Sequence, residues 1–566
     1  MNYRSSRRLY NRKGQNKLKE WRSQDLSYDE HPYNFYIAYF SKCFHLDQAL
    51  TRYLFSLGYT KRKEIVEFLY PSLDQLHDPF LLKDMHKAIT RIEQALDRKE
   101  KVMIFGDYDG DGQTATSLLY RALKKLEANV EFLIPLRSEG YGLKPTALDN
   151  CSMKDVSLII TVDNGTSAHA ALKKAHKMGI DVIVTDHHEI LQGHPNCYAF
   201  VNPKRDDNDY PFKFLAGVGV ALKLVQALFK TFYGTDWEQY IWDYLDLAAI
   251  GTVTDMMPLK GENRAIVALG IRMMNEQPKP IIKKLVKKLP YKDVDTTTIG
   301  FGIGPVLNAC GRISDPNIST RFLCEGDLSR EDLENLITVN NTRKVMTAEH
   351  FVKAEHLIEE QGLTNDNVIV IQGDFHEGII GLLASRISEK YLKPAIVINE
   401  SGKGSARSVQ NTNFSIVKVI LDCSSYLISF GGHQAAAGLS ITLSKVDGFR
   451  KAIQLAAQMQ DQVIPEVQYQ FEIPLMFFPD EMIHQFDRLE PYGMGNNKPI
   501  FYTKTWFDSC FPLGPSREHF VLKAFGKTVW AFRFNEQIIK PQKLRKILYT
   551  VNSSKKRDFL LLDIKT

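Results

Sequence analysis

Apolar runs of strand length recur through the first half of this chain, and each ends in charge. From about residue 100 to 205 the runs are VMIF, EFLIPL, SLIITVD, DVIVTD and YAFVNP, with amphipathic stretches at 114–126 and 167–178 between them. Runs without a polar alternate are strands buried on both faces, and strands alternating with helices make a parallel sheet with helices on both sides. HKAITRIEQALDRKE reads as an amphipathic helix leading into the first strand. Residues 216–276 read as helical, with Asp255 in the bend TVTDMMPL. The stretch 328–361 has few breakers and reads as one long helix or two short ones. A second α/β unit follows: NVIVIQG, a helix at 379–391, PAIVIN, a Gly/Ser/Arg loop, a helix near 414–429, then GGHQAAAGLSITL. Beyond about 465, YQFEIPL, FYTKTWF, HFVLKAF, VWAFRF and FLLLDI alternate as strands do and predict a small β-barrel or sandwich.

The charges at the strand ends carry the chemistry. VMIFGDYDGDG ends in Asp107, Asp109 and Asp111, SLIITVDNGTS in Asp163, and DVIVTDHH in Asp186, His187 and His188. In an open α/β sheet the carboxyl ends of the strands form the ligand edge. Carboxylates crowded there repel one another unless cations hold them, which points to a divalent-metal site. Hard carboxylates with one or two imidazoles suit Mn²⁺ or Mg²⁺, and a central strand end such as Asp163 is placed to bridge two ions. Adjacent strand residues face opposite ways, so His187 and His188 do not share one role. Either the strand has ended by then, or one ligates while the other meets substrate.

Two other readings of DYDGDG fail. A calcium EF-hand loop needs a Glu at its twelfth position, which here is Leu118, and a helix where this chain has a β-like run. A P-loop needs GK[ST] after its glycines, and none follows.

Composition narrows the setting. A chain of 566 residues implies three or four domains. No apolar run approaches the roughly 20 residues of a membrane span, and no signal-peptide pattern is evident. Seven cysteines with no CxxC pair argue against zinc ribbons and disulfide frameworks and imply a reducing cytosol. A net charge of +6 permits a nucleic-acid partner without requiring one. The charge is uneven. MNYRSSRRLYNRKGQNKLKEWR has Glu20 as its only acidic residue, and reads as a solvated tail, an auxiliary nucleic-acid contact or a transit peptide. IIKKLVKKL (281–289) reads as an amphipathic helix with a lysine face.

Taken together, FGDYDGDGQTAT, TVDNGTS, TDHH and GTVTDMMPL resemble, in order, the metal-binding segments of the DHH phosphoesterase superfamily. The later segments LNACGR, HEGIIGLLASRI, GKGSARS and FGGHQAAAG make the chain similar, within that superfamily, to the RecJ-type single-strand-specific 5′→3′ exonucleases. LEPYGMGNNKPIF resembles the start of that family's C-terminal OB-like domain. The resemblance covers nearly everything after about residue 50 and implies an α/β protein. A parallel-sheet DHH domain and a second α/β domain would be joined by a long helix, followed by a C-terminal OB-like β-barrel. The implied divisions are a basic tail and N-terminal helical region (1–85), the DHH catalytic metal-binding domain (86–276), a helical connector (277–362), a DHH-associated substrate-binding domain (363–462) and an OB-like nucleic-acid-binding domain (463–566).

Carried over residue by residue, the resemblance implies that Asp109, Asp111, Asp163, His187 and Asp255 hold two Mn²⁺ or Mg²⁺ ions, with Asp163 bridging and Asp107 in support. His188 would face the substrate. Arg137, Arg312, Ser405, Arg407 and His433 would bind the phosphates and the strand end. The implied activity is two-metal hydrolysis of single-stranded DNA from its 5′ end, releasing 5′-mononucleotides in repair and recombination. The implied setting is a cytoplasmic monomer, with a single-strand-binding protein and a helicase as partners and no membrane. Three features depart from the family pattern: Val306 where Arg often precedes LNA, Gln113 where a β-branched residue is usual, and the basic tail. Two other readings stay open. One is a phosphodiesterase for oligoribonucleotides or cyclic dinucleotides, against which residues 465–566 argue. The other is a catalytically silent replication scaffold, against which the full ligand set argues.

Overall fold

Val102 and Ile104 pack into one hydrophobic core, while Met103 and Phe105 of the same strand pack into another. Successive side chains of a strand point to opposite faces, so this strand is covered on both. The computed structural model describes residues 19–24, 34–150, 153–325, 330–460, 465–514, 519–534, 539, 541–553 and 555–565. They fall into two units. One comprises residues 60–342 and 489–497, and the other residues up to 59, 343–488 and 498–566.

The first unit is built on a five-stranded sheet in the order Val130–Leu133, Lys101–Phe105, Val156–Val162, Asp181–Thr185, Ala199–Val201. Every neighbouring pair is parallel. Ala88, Ile89 and Ile92 of the Met85–Asp97 helix and Leu118 and Leu119 of the Gly110–Lys125 helix cover one face. Ala171, Leu172 and Ala175 of the His169–Lys177 helix cover the other. The helices expected at 114–126 and 167–178 are therefore present, the first a turn longer at its start. The chain runs to one side after Lys101–Phe105 and crosses to the other side for Val156–Val162. The switch point of the sheet thus lies between the carboxyl ends of these two strands, where α/β sheets bind ligands.

Residues 489–497 belong to this unit although they lie far along the chain. Arg264, buried at 2% exposure, stacks 3.5 Å over the Phe68 ring and donates to the main-chain oxygens of Leu489, Glu490 and Pro491.

The second unit contains a five-stranded sheet in the order Leu427–Gly432, Ala436–Ile441, Lys403–Arg407, Ala395–Ile398, Ile369–Gln372, of which only the last pair is parallel. Two expectations are corrected here. GKGSARS is a strand and not a loop: Ser405 pairs with Gly438 on one side and Val397 on the other. Its small residues have little strand propensity, and pairing on both sides decides the conformation. The helix expected near 414–429 spans only Ile416–Asp422, because Leu427–Gly432 forms a hairpin with Ala436–Ile441. The Arg330–Glu360 stretch is one helix.

The C-terminal strands form one seven-stranded sheet in the order Phe471–Glu472, Phe501–Thr505, Arg545–Ser553, Asp558–Lys565, Lys527–Phe532, His519–Ala524, Ser509–Leu513. Where the alternation predicts a barrel or sandwich, the structure has a sheet-rich region, and among the described residues no ladder joins its two edge strands. Glu20–Ser23, at the end of the basic segment, is a strand paired in parallel with Glu466–Tyr469. The rest of that segment, residues 1–18, lies outside the described residues. No described helix is long and apolar enough to cross a membrane, and the six described cysteines are all free.

Candidate metal centre

The turn after Lys101–Phe105 builds the first part of the site. Asp109 caps the Gly110–Lys125 helix, its Oδ1 accepting from the amides of Asp111 at 3.0 Å and Gly112 at 3.1 Å. Short acceptor side chains favour this position because the first amides of a helix have no internal partner. Asp111, in the first turn of that helix, accepts from the amides of Gly217 and Val218 at 2.7 and 2.8 Å. These amides begin the Gly217–Tyr233 helix, whose positive end favours a carboxylate. Gly217 is needed there, since a Cβ would come within 2.4 Å of Asp163.

Asp163 follows Val156–Val162 at φ +62°, a left-handed conformation uncommon outside glycine and asparagine. Asn164 holds this turn by donating to the main-chain oxygens of Phe105 and Val162. Asp255 ends the Leu245–Thr254 helix. The Asp181–Thr185 strand stops before the triplet Asp186-His187-His188, which frees the two imidazoles to take different directions.

His187 points into the carboxylates. Its Nε2 lies 3.0 Å from Asp163 Oδ1 and 3.8 Å from both Asp111 Oδ2 and Asp255 Oδ2. Three overlapping donor groups result, Asp107–Asp109–Asp163, Asp111–His187–Asp255 and Asp163–Asp186–His187–His188, each with its ligand atoms within 4.8 Å of one another. They meet where Asp163 faces His187.

Oxygens of this cluster lack hydrogen-bond partners. Buried Asp107 Oδ1, Asp163 Oδ1 and Asp255 Oδ2 have none. Buried polar atoms are nearly always satisfied, so unpaired carboxylate oxygens converging on one place fit a bound cation. The electrostatics agree. Burial, and then the neighbouring carboxylates, push Asp111 up to about 7 and Asp255 up to about 9. The same two causes raise Asp107 and Asp163 well above the usual carboxylate range. Burial, with the charge of His188, holds His187 down to about 3, so its ring is neutral and able to ligate. An oxygen-rich set with one neutral imidazole matches Mn²⁺ or Mg²⁺.

His188 is differently placed. Its Nδ1 lies 2.7 Å from Asp186 Oδ1 and 3.1 Å from the Tyr141 hydroxyl, which itself donates to the main-chain oxygen of Asp163 at 2.9 Å. Burial would lower its pKa, but the charge and hydrogen bond of Asp186 outweigh this and raise it to about 9. Burial would likewise raise Asp186, yet His188, His187 and the Thr166 amide hold it below the ordinary range. Asp186 thus orients and charges His188. Neither this role nor Tyr141 was identified from sequence. The Asp beside the two histidines was a signal for the first, whereas nothing marked Tyr141 among the tyrosines.

Arg137 and Arg312 flank the Asp107–Tyr108 turn. Arg137 lies 4.2 Å over the Tyr108 ring and donates from Nε to the Gly311 oxygen at 2.9 Å. Burial pushes the Tyr108 hydroxyl up to about 12, and both arginines pull against that rise. Gly311 is required, since a Cβ would lie 1.9 Å from the Tyr108 oxygen.

Three of the expected residues lie in the other unit. Ser405 and Arg407 are on the Lys403–Arg407 strand, where Arg407 Nη1 donates to Ser405 Oγ at 3.0 Å. His433 is in the turn of the adjoining hairpin, its amide donating to the Ala436 oxygen at 2.8 Å.

Comparison with known proteins bears on this geometry. Residues 101–252 match the DHH family, N-terminal domain, and residues 365–459 match the DHHA1 domain. The single-stranded-DNA-specific exonuclease RecJ of Bacillus subtilis is 36% identical over 490 residues, which are 84% of this chain and 61% of that protein. The chain thus spans less than two thirds of that relative's length. The RecJ of Dickeya dadantii is 35% identical over 427 residues, 71% of this chain and 74% of that one. The crystal structure of RecJ from Thermus thermophilus in complex with Mn²⁺ superposes with a TM-score of 0.83 at 26% identity, covering 97% of this chain and 79% of that one.

Proposed function

The chain belongs to the RecJ family of single-stranded-DNA-specific exonucleases, and on that premise we propose that it hydrolyses single-stranded DNA from the 5′ end, releasing 5′-mononucleotides. The observation that most supports this reading is the meeting of the donor groups at Asp163 and His187, on the ligand edge of the sheet. In this reading Asp109, Asp111, Asp163, His187 and Asp255 hold two divalent cations, with Asp107 beside them. When bound, Mn²⁺ or Mg²⁺ acidifies the attacking water and offsets charge on the phosphate.

The remaining roles belong to protein side chains. His188, kept protonated near neutral pH by Asp186, donates a proton to the departing 3′ oxygen. Arg137 and Arg312 grip the phosphate beside the metal turn. Ser405, Arg407 and His433 bind the 5′ end of the strand and set polarity. The C-terminal sheet carries the strand onward by stacking, worth about 1–3 kcal/mol per base, and by charge. A cytoplasmic location and partnership with a single-strand-binding protein and a helicase belong to the same proposal, as does a monomeric state.

The test is digestion in Mn²⁺ of single-stranded DNA labelled separately at each end, beside a duplex and an Asp163→Ala control. The proposal expects early release of the 5′ label as a mononucleotide, intact duplex and an inactive variant. Early loss of the 3′ label would reverse the polarity. Intact DNA from folded protein in both Mn²⁺ and Mg²⁺ would favour a dinucleotide substrate or a silent scaffold.

A further inference from the structure

The Gly110–Lys125 helix begins at the metal cluster and ends elsewhere. Its 16 residues span about 24 Å at about 1.5 Å per residue. Its last turns form one wall of a cavity of about 540 Å³, whose lining includes Arg121, Lys124, Lys125, Asp243, Tyr244 and Cys324.

Three features of this cavity point to a ligand. First, its cations have no carboxylate partner among the described residues. Arg121 lies 5.7 Å over the Tyr244 ring, Lys124 5.5 Å over Tyr120 and Lys125 4.9 Å over Tyr240. Second, Tyr244 is 4% exposed and lines the cavity, yet its hydroxyl has no hydrogen-bond partner among the described residues. Burial raises its pKa, so it remains a donor. The hydroxyl oxygen opens to the cavity and is free to donate to a bound acceptor. Third, Asp243 also lines the wall, exposed and without an ion pair among the described residues.

Three cations and a hydroxyl donor suit a phosphate group, and one carboxylate beside them suits a group that donates N–H or O–H. A bare anion would meet repulsion from Asp243 without any compensating donor, whereas a nucleotide offers both its phosphate and the amino or hydroxyl groups of its base and sugar. The volume is within the range of pockets that hold molecules of that size.

We propose that this cavity is a second nucleotide site, separate from the metal cluster, which takes the phosphate of a nucleoside 5′-phosphate on Arg121, Lys124, Lys125 and Tyr244 and a donor of its base or sugar on Asp243. The nucleotide is either free or the terminal residue of a strand. The test separates these sources by calorimetric titration of the full chain in EDTA, where no hydrolysis occurs. One arm uses deoxyadenosine 5′-monophosphate and the other a 5′-phosphorylated phosphorothioate oligonucleotide.

Lys124→Glu with Lys125→Glu should weaken binding of at least one probe about tenfold or more, the loss of about one charge-assisted contact. Tyr244→Phe should weaken the same probe by a smaller factor. Loss for the mononucleotide alone identifies a free nucleotide, and loss for the oligonucleotide alone identifies a strand terminus. Lys173→Glu with Lys177→Glu, on an exposed helix face elsewhere, is the charge control. The proposal is overturned by binding of both probes that survives either variant, by an equal fall in the control, or by inorganic phosphate binding as tightly as the mononucleotide.

Discussion

Gln113 Nε2 donates to the main-chain oxygen of Tyr108 at 2.7 Å, fixing the turn that carries Asp107 and Asp109 to the helix beginning just after it. The same amide reaches the Leu307 oxygen at 3.3 Å, and its Oε1 accepts from Ser319 Oγ at 2.7 Å. Gln113 is wholly buried. Gln113 therefore joins the metal turn to the LNACGR helix bearing Arg312.

Gln113→Val leaves these three groups without their amide. Unsatisfied buried groups cost about 1–3 kcal/mol. The expected outcome is a lower melting temperature and weaker Mn²⁺ binding, measured by calorimetry. A variant matching the parent in both would show that the turn holds its shape without Gln113.

Asp163→Asn tests the central carboxylate with its backbone preserved, because Asn tolerates the left-handed conformation that Asp163 adopts. Activity in Mn²⁺ should fall by at least about 100-fold, more than is usual for residues that only support a ligand. The metal-free variant should melt higher than the metal-free parent, since one repelling charge is gone. A lower melting point in EDTA would contradict the repulsion inferred from the raised carboxylates.

The metal-free protein should lose stability as pH rises. Asp111 and Asp255 titrate at about 7 and about 9 when folded, against 3.8 ordinarily. A group with a raised folded pKa stabilises fully below its unfolded value, and that contribution disappears as pH climbs through the folded value. The window therefore opens near 3.8 and closes near 9. Melting in EDTA should move down from about pH 5.5 to about pH 8.5, while the gain on adding Mn²⁺ should grow, because metal binds the deprotonated ligands. A gain independent of pH would count against the assignment.

Asp186→Asn removes the charge that holds His188 at about 9. The alkaline limb of kcat/KM should move toward lower pH, with kcat reduced about 10–100-fold as for other orienting partners. Tyr141→Phe should shift that limb less. An unmoved limb in Asp186→Asn would assign it to another group and remove His188 as the proton donor.

The parallel sheet and most of the metal site were legible because burial on both faces leaves a continuous apolar run, and a carboxylate at its end is conspicuous. The later strands were harder. Lys403–Arg407 has no β-branched residue, and its conformation comes from partners on either side. The Leu427–Gly432 strand was absorbed into a helix expected near 414–429, because an apolar run that short fits either period.

The sequence by itself determined the order of strands and helices in the first sheet and the identity of the carboxylates and imidazoles, since these follow from local periodicity and from residue type at strand ends. Only the tertiary structure decided how those groups divide. It turned His187 toward Asp163 and His188 toward Asp186 and Tyr141, and it gave the Gln113 amide its three partners. The physical reason is distance along the chain: Tyr141 lies 47 residues from His188, and Ser319 lies 206 from Gln113. Contacts of that span are set by packing and leave no mark on the local pattern.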